Sequence, residues 1–186
     1  KDIAFKLCSL SFPLLFLSNL NDIVYEIRTI PESITGRYGK EVLESKTFGT
    51  CTVAEKTCLR QKYEGDQKEE TLWLFSSEDH GRKYSVGFFL NEEGQLKAVN
   101  EPAFCFFPTK EVTNLKFIIH APFLLTDSRE GIRAGIVHND KMIRDLSVLA
   151  ANSLVYLKRI GIESGTRLID DSIIDIVPVD PDLFSD

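Results

Sequence analysis

The sequence predicts an α+β fold, a mostly antiparallel sheet with helices on one face. Two observations predict it. A block of β-rich runs joined by short turns fills the middle of the chain, and helical apolar spacing stands at its two ends. The longest helical pattern is the C-terminal one. With 186 residues the chain fits one domain or one domain with an appendage. Its 43% hydrophobic and 27% charged residues are ordinary for a protein with a packed core.

The elements follow in order. Asp2–Leu10 is apolar at Ile3, Leu7 and Leu10, which predicts a short amphipathic helix. Pro13 suits an early helical position, so Leu14–Leu20 is expected to form another helical turn or two. Ile23–Ile30 is rich in β-branched residues and reads as a strand, and Pro31–Gly39 reads as a loop. Lys46–Tyr63 alternates apolar and charged residues, as one long strand or a hairpin. Gly65–Glu70 is expected to be a charged turn, with Glu69 and Glu70 as surface charge. Thr71–Ser76 and Lys83–Leu90 read as strands around a turn at Glu78–Arg82, and Asn91–Gly94 turns tightly into Gln95–Val99. Phe104–Phe107 and Leu115–Phe123 read as two more strands. The polar turn expected between them begins Pro108-Thr109-Lys110. Short turns between consecutive strands favour antiparallel pairing.

From Asp140 the apolar residues Met142, Ile143, Leu146, Leu149, Ala150, Leu154 and Leu157 predict a long amphipathic helix, with Gly161 as its stop. The tail carries the apolar run Ile173–Val179, then Pro181 and several Asp residues. The organisation read from this is a helical lead-in at 1–22, an α+β middle domain at 23–168 and an acidic tail at 169–186. The chain opens on Lys1 within a helical pattern and reads as a piece of a longer protein.

The net charge of −6 argues against generic binding to nucleic acid by phosphate neutralisation. No apolar run reaches the roughly 18–20 residues that span a bilayer, because Pro13, Ser18 and Asn19 break the longest one. No membrane association is expected, no secretory pattern is seen, and the expected location is cytoplasmic. The four cysteines, Cys8, Cys51, Cys58 and Cys105, form no CxxC pair and have no His at ligand spacing, so no metal site is expected. Cys51 and Cys58 could pair, but free thiols are the expectation in that compartment.

Of the three histidines, His120 ends a strand and is expected to be a satisfied core residue rather than a general base. His80 and His138 lie in polar stretches and are expected to be solvated. Phosphate-loop, dinucleotide, zinc-protease and nucleophile-elbow patterns are all absent. The chemistry-bearing residues that remain are two cations in structured segments, Lys110 and Arg129. The plain alternative for each is a surface ion pair with Glu111 or Glu130, contributing under about 1 kcal/mol.

The run FCFFPTKEVTNLKFIIHAPF resembles the segment that follows the nucleotide-binding domain in large bacterial ATPases of the Hsp90-like, or GHKL, class related to sacsin. The opening KLCSLSFPLLFLSNLNDIVYEI is similar to the start of that region, and the spacing onward to PFLLTDSREGI and a long helix agrees. The resemblance spans about Asp2–Leu168. It implies a non-catalytic middle, or transducer-like, domain with a β-α-β core that couples ATP state to conformational change. It also implies that ATP and magnesium sit in a preceding domain of the same chain, with no cofactor in this part. Lys110, and after it Arg129, would then reach the γ-phosphate across the domain boundary. A homodimer of the parent and a protein client are the other partners implied. The alternative function is a protein-interaction module that holds a partner along its sheet.

Overall fold

The computed structural model describes residues 6, 7, 10–28 and 33–177. Most of the expected Asp2–Leu10 helix, Cys8, the first residues of the Pro31 loop and the end of the acidic tail lie outside them. Among the described residues nine strands form one sheet: β1 (Asp22–Arg28), β2 (Ser33–Phe48), β3 (Thr52–Tyr63), β4 (Asp66–Asp79), β5 (Arg82–Leu90), β6 (Leu96–Lys97), β7 (Pro102–Cys105), β8 (Phe107–Val112) and β9 (Ile118–His120). One long helix, α1 (Val137–Ser164), follows, then a short 3-10 turn at Asp171–Asp175. The strand order is β1-β2-β3-β4-β5-β9-β7-β8, with β6 paired beside β5. Every pairing is antiparallel except β7 with β9, which meet at Phe104 and His120. The fold is therefore α+β with a mostly antiparallel sheet and a C-terminal helix. The parallel pair β7 and β9 is joined through β8, and α1 comes after the last strand.

Two-residue turns set the register of the central hairpins. Glu64 and Gly65 join β3 to β4, and His80 and Gly81 join β4 to β5, all four with positive φ. Such a pair twists with the strands it joins. The expected charged turn at Gly65–Glu70 is thus only Glu64–Gly65. Residues 66–70 are strand because their charges find partners on neighbouring strands. Glu69 sits opposite Arg60, 3.0 Å from its Nε, and Glu70 meets Lys97 at 3.1 Å.

Other boundaries shift for similar reasons. From Ser33 onward the expected Pro31–Gly39 loop is the start of β2. Ile34, Gly36 and Tyr38 point to the more buried side, and Tyr25 of β1 lies where a Cβ on Gly36 would be, so only glycine fits. Lys46–Tyr63 is the hairpin of its two alternatives, turning at 49–51. The Phe104–Phe107 run is not one strand: Phe106 adopts φ 64 and folds β7 back onto β8. Lys110 consequently lies in β8 and not in a turn. Gly161 lies inside α1, which ends at Gly165 (φ 67), whose N–H donates to Ile162 O.

The sheet is covered on both faces. On one, Met142, Leu146, Leu149, Leu157 and Ile160 of α1 pack against Trp73, Phe75, Val86 and Phe88. On the other, Leu15 and Phe16 pack against Leu59, Leu72, Leu74, Phe89, Phe104 and Ile118. The covering segment, Leu10–Leu20, is built of single turns, Leu15 N to Phe12 O and Leu17 N to Leu14 O. It is not the helix expected at Leu14–Leu20. Each large apolar side chain buried in this way contributes about 1.5–3 kcal/mol. Adjacent strand residues alternate between the two layers, so β4 and β5 read as nearly continuous apolar runs.

Candidate functional site

The two cations singled out by sequence meet at one edge of the sheet. Lys110 of β8 donates its backbone N–H to Glu130 O at 2.6 Å, and its Nζ lies 2.6 Å from Glu130 Oε1. Arg129, next in the chain to Glu130, adopts φ 58 and closes a turn with N–H to Thr126 O at 2.8 Å. Lys110 is 74% exposed, and Arg129 is exposed at the rim of a groove beside Cys105 and Phe123. No carboxylate pairs with the Arg129 side chain among the described residues.

The loop bearing Arg129 is anchored by a residue that the sequence reading did not single out. Asn139, buried in the first turn of α1, accepts Leu124 N–H on Oδ1 at 2.8 Å. Its Nδ2 donates to Leu124 O at 2.9 Å and to Arg133 O at 2.7 Å. One side chain thus clamps both arms of the loop. Its sequence signal is weak: an Asn between His138 and Asp140 reads as ordinary helix-start polarity.

The histidines take three different environments. His80 is exposed in its turn, 3.6 Å from Asp79. His138 is half-buried rather than solvated, with Nε2 2.9 Å from Pro122 O and Nδ1 3.3 Å from Arg82. His120 is 3% exposed, and both of its ring nitrogens lack a hydrogen-bond partner. The expectation of a satisfied ring at this strand end is corrected. Phe16 stacks on the ring at 4.3 Å, and Phe106 meets it edge-on at 5.2 Å, so aromatic faces stand where polar partners would. Burial, and then the nearby Lys83 charge, pushes its pKa down to about 3. The ring is neutral at pH 7.

Ser85 faces His120 directly across β5 and β9. A serine beside a histidine suggests a nucleophile and base, but the contact is not made. Ser85 Oγ bonds Ser76 Oγ at 2.8 Å, and the imidazole nitrogens touch neither. Cys51, Cys58 and Cys105 are free; Cys51 sits in the β2–β3 turn and Cys58 midway along β3, beyond disulfide reach on an extended chain. Burial raises the Cys58 and Cys105 thiol pKa values, which disfavours the thiolate. No group of three metal-ligating side chains is found among the described residues. No helix among them is long and apolar enough to cross a membrane.

No family model, curated protein or solved structure matches the chain.

Proposed function

We propose that the chain is a cytoplasmic, non-catalytic transducer-like domain of an Hsp90-like (GHKL) ATPase. It responds to ATP and magnesium held by a preceding domain of the parent. The observation that carries this reading is that Lys110 and Arg129, remote in sequence, stand on one sheet edge joined through Glu130. Lys110 sits on a hydrogen-bonded strand, and the Arg129 loop is fixed by Asn139. Cations presented in this way suit charge that develops on a phosphoryl group held elsewhere, since placement in advance removes the cost of reorganisation. Glu130 holds Lys110 until a stronger anion competes for it. The β-α-β core implied by the sequence resemblance belongs to the same proposal.

The test uses the full-length parent. Lys110→Ala and Arg129→Ala should leave ATP binding intact and lower turnover at least about 10³-fold for the residue that acts as the finger. Wild-type turnover in both variants would remove this edge from the mechanism.

A second reading, a protein-interaction module, is favoured by the same edge. β8 ends the strand order, and Val112 on it is 75% exposed. Glu130 O already takes the Lys110 N–H, so an extended partner could add as a further strand only at the Val112 end of β8, with the acidic surface selecting a basic one. A basic extended peptide should bind at low salt and lose binding in Val112→Pro. Binding unaffected by that proline would exclude β8 as the docking strand.

A further inference from the structure

We infer that the sheet face opposite α1 carries a binding site for a small monoanionic carboxylate with an apolar body, held between Lys40 and Lys83 above His120. The site is separate from the Lys110 edge and does not depend on the reading given for it.

A cleft of about 250 Å³ lies between this face and the segment leading from Leu15 to Asn21. Strand alternation fills its wall. Lys83 and Ser85 are two apart on β5 and share a face, and Ser85 is paired with His120. Glu55 on β3 pairs with Leu74, whose neighbour Ser76 on the same face pairs with Ser85. Lys40 enters from β2 and donates from Nζ to Leu17 O, which ties it to the covering segment.

The charges define the ligand. Two ammonium groups face one cleft, and neither has an ion-pair partner among the described residues. Burial, and then Lys83, lowers the Lys40 pKa, while Glu55 acts in the opposite direction. The two lysines therefore sense each other, and one carboxylate offsets only half of their charge. The imidazole is neutral and adds nothing. A single negative charge balances the wall, whereas a phosphate dianion would overshoot beside Glu55.

The second observation is independent of charge. Among the described residues, His120 holds the only buried side-chain polar atoms without a partner. Buried polar groups are normally paired, and one that is not calls for an explanation. Its ring forms the floor of this cleft, roofed by Phe16. Once Phe16 tilts aside, a carboxylate seated between the lysines accepts the imidazole N–H, and its apolar body lies along Phe16 and Leu74. Leu15, Phe16, Val42 and Leu74, in a lining that is otherwise mostly polar, account for the apolar body, and the lysines for the carboxylate.

The test titrates the full chain with hexanoate, with neutral hexanamide and with inorganic phosphate. His120 ring resonances report the site, and calorimetry gives the affinities. Hexanoate should saturate in the millimolar range or below, with hexanamide and phosphate each at least about tenfold weaker, the scale of one charge-assisted hydrogen bond. Lys83 is exposed, so Lys83→Gln should fold normally and bind hexanoate about tenfold more weakly. His120→Leu, whose apolar ring site remains filled, should also weaken hexanoate. The inference is overturned if hexanoate gives no saturable shift at His120, if Lys83→Gln binds it as well as the parent chain does, or if phosphate binds equally well.

Discussion

Phe16 and His120 stack face to face at 4.3 Å, so the turn-built covering segment is fastened to the sheet through a histidine whose ring is neutral at pH 7. An imidazolium there would be a buried charge with no partner.

That relationship sets the acid limb of stability. The ordinary imidazole value is 6.5, and in the fold it is about 3. Between these values the unfolded chain binds the proton and the folded chain does not, so stability rises with pH across that window. The His120 contribution is complete above the unfolded value and is lost as pH falls toward the folded one. Its full size is on the order of 5 kcal/mol, a large share of typical domain stability. Asp79 and Glu163, whose pKa values are lowered by ion pairs with Lys141 and Arg159, add losses at lower pH. Urea midpoints should therefore fall between pH 7 and 4 in the parent chain and stay flatter in His120→Leu. At pH 7 that variant should be as stable as the parent, or about 1 kcal/mol more so, because it removes an unpaired polar group. Parallel acid limbs in the two proteins would contradict this account.

Asn139 offers a sharper stability test. Removing its side chain leaves Leu124 N–H, Leu124 O and Arg133 O without their partner in a region that is partly closed to water. Asn139→Ala should cost about 2–3 kcal/mol, more than a typical surface change. Hydrogen exchange at Leu124 N–H should accelerate. Asn139→Asp, which sets a carboxylate oxygen against Leu124 O and Arg133 O where the Nδ2 donor stood, should cost at least as much as Asn139→Ala.

The class of the fold was legible because β-rich runs and the helical repeat at Met142, Leu146, Leu149 and Leu157 are local patterns. The boundaries were not, because they depend on partners. Lys68–Glu70 look like a solvated turn until Arg60 and Lys97 stand beside them. Phe104–Phe107 looks like one strand until Phe106 takes a positive φ that sequence gives no reason to expect. The site followed the same rule. Lys110 and Arg129 could be named as cations in structured segments, and Glu130 as a partner for one of them. Lys40, Lys83 and His120 come from β2, β5 and β9, and only the strand register reveals that they share a cleft.

Gly87 tests the packing of the face under Phe16. A Cβ there would lie 2.8 Å from Ile118 Cγ1, 2.9 Å from its Cδ1 and 3.0 Å from Leu72 Cδ1. Its φ is not in the left-handed region, so alanine suffers no backbone strain and would gain about 0.5–1 kcal/mol in strand propensity. Overpacking, at about 1–3 kcal/mol, should outweigh that gain, so Gly87→Ala should destabilise. Ile118→Ala alone should cost about 2–5 kcal/mol. The double variant should be more stable than the sum of the two predicts, by about 0.5–3 kcal/mol, because the new methyl group enters the space that Ile118 leaves. Strict additivity in a thermal-unfolding cycle would mean that the strand shifts to admit the methyl group without touching Ile118.

Lys110 separates a structural role from a functional one. Its contact with Glu130 is short, yet both side chains are largely exposed, and such pairs contribute under about 1 kcal/mol. The β8 backbone bond to Glu130 survives any side-chain change at Lys110. Lys110→Ala should therefore leave the urea midpoint of the chain within error of the parent. If Glu130 parks Lys110 as proposed, Glu130→Gln should free the ammonium group and raise turnover of the full-length ATPase, whereas Lys110→Ala lowers it. In Lys110→Ala/Glu130→Gln the gain should vanish, because Glu130 would have nothing left to hold. If Glu130→Gln still stimulates turnover without Lys110, the pair is only a surface contact and the phosphate-facing cation lies elsewhere.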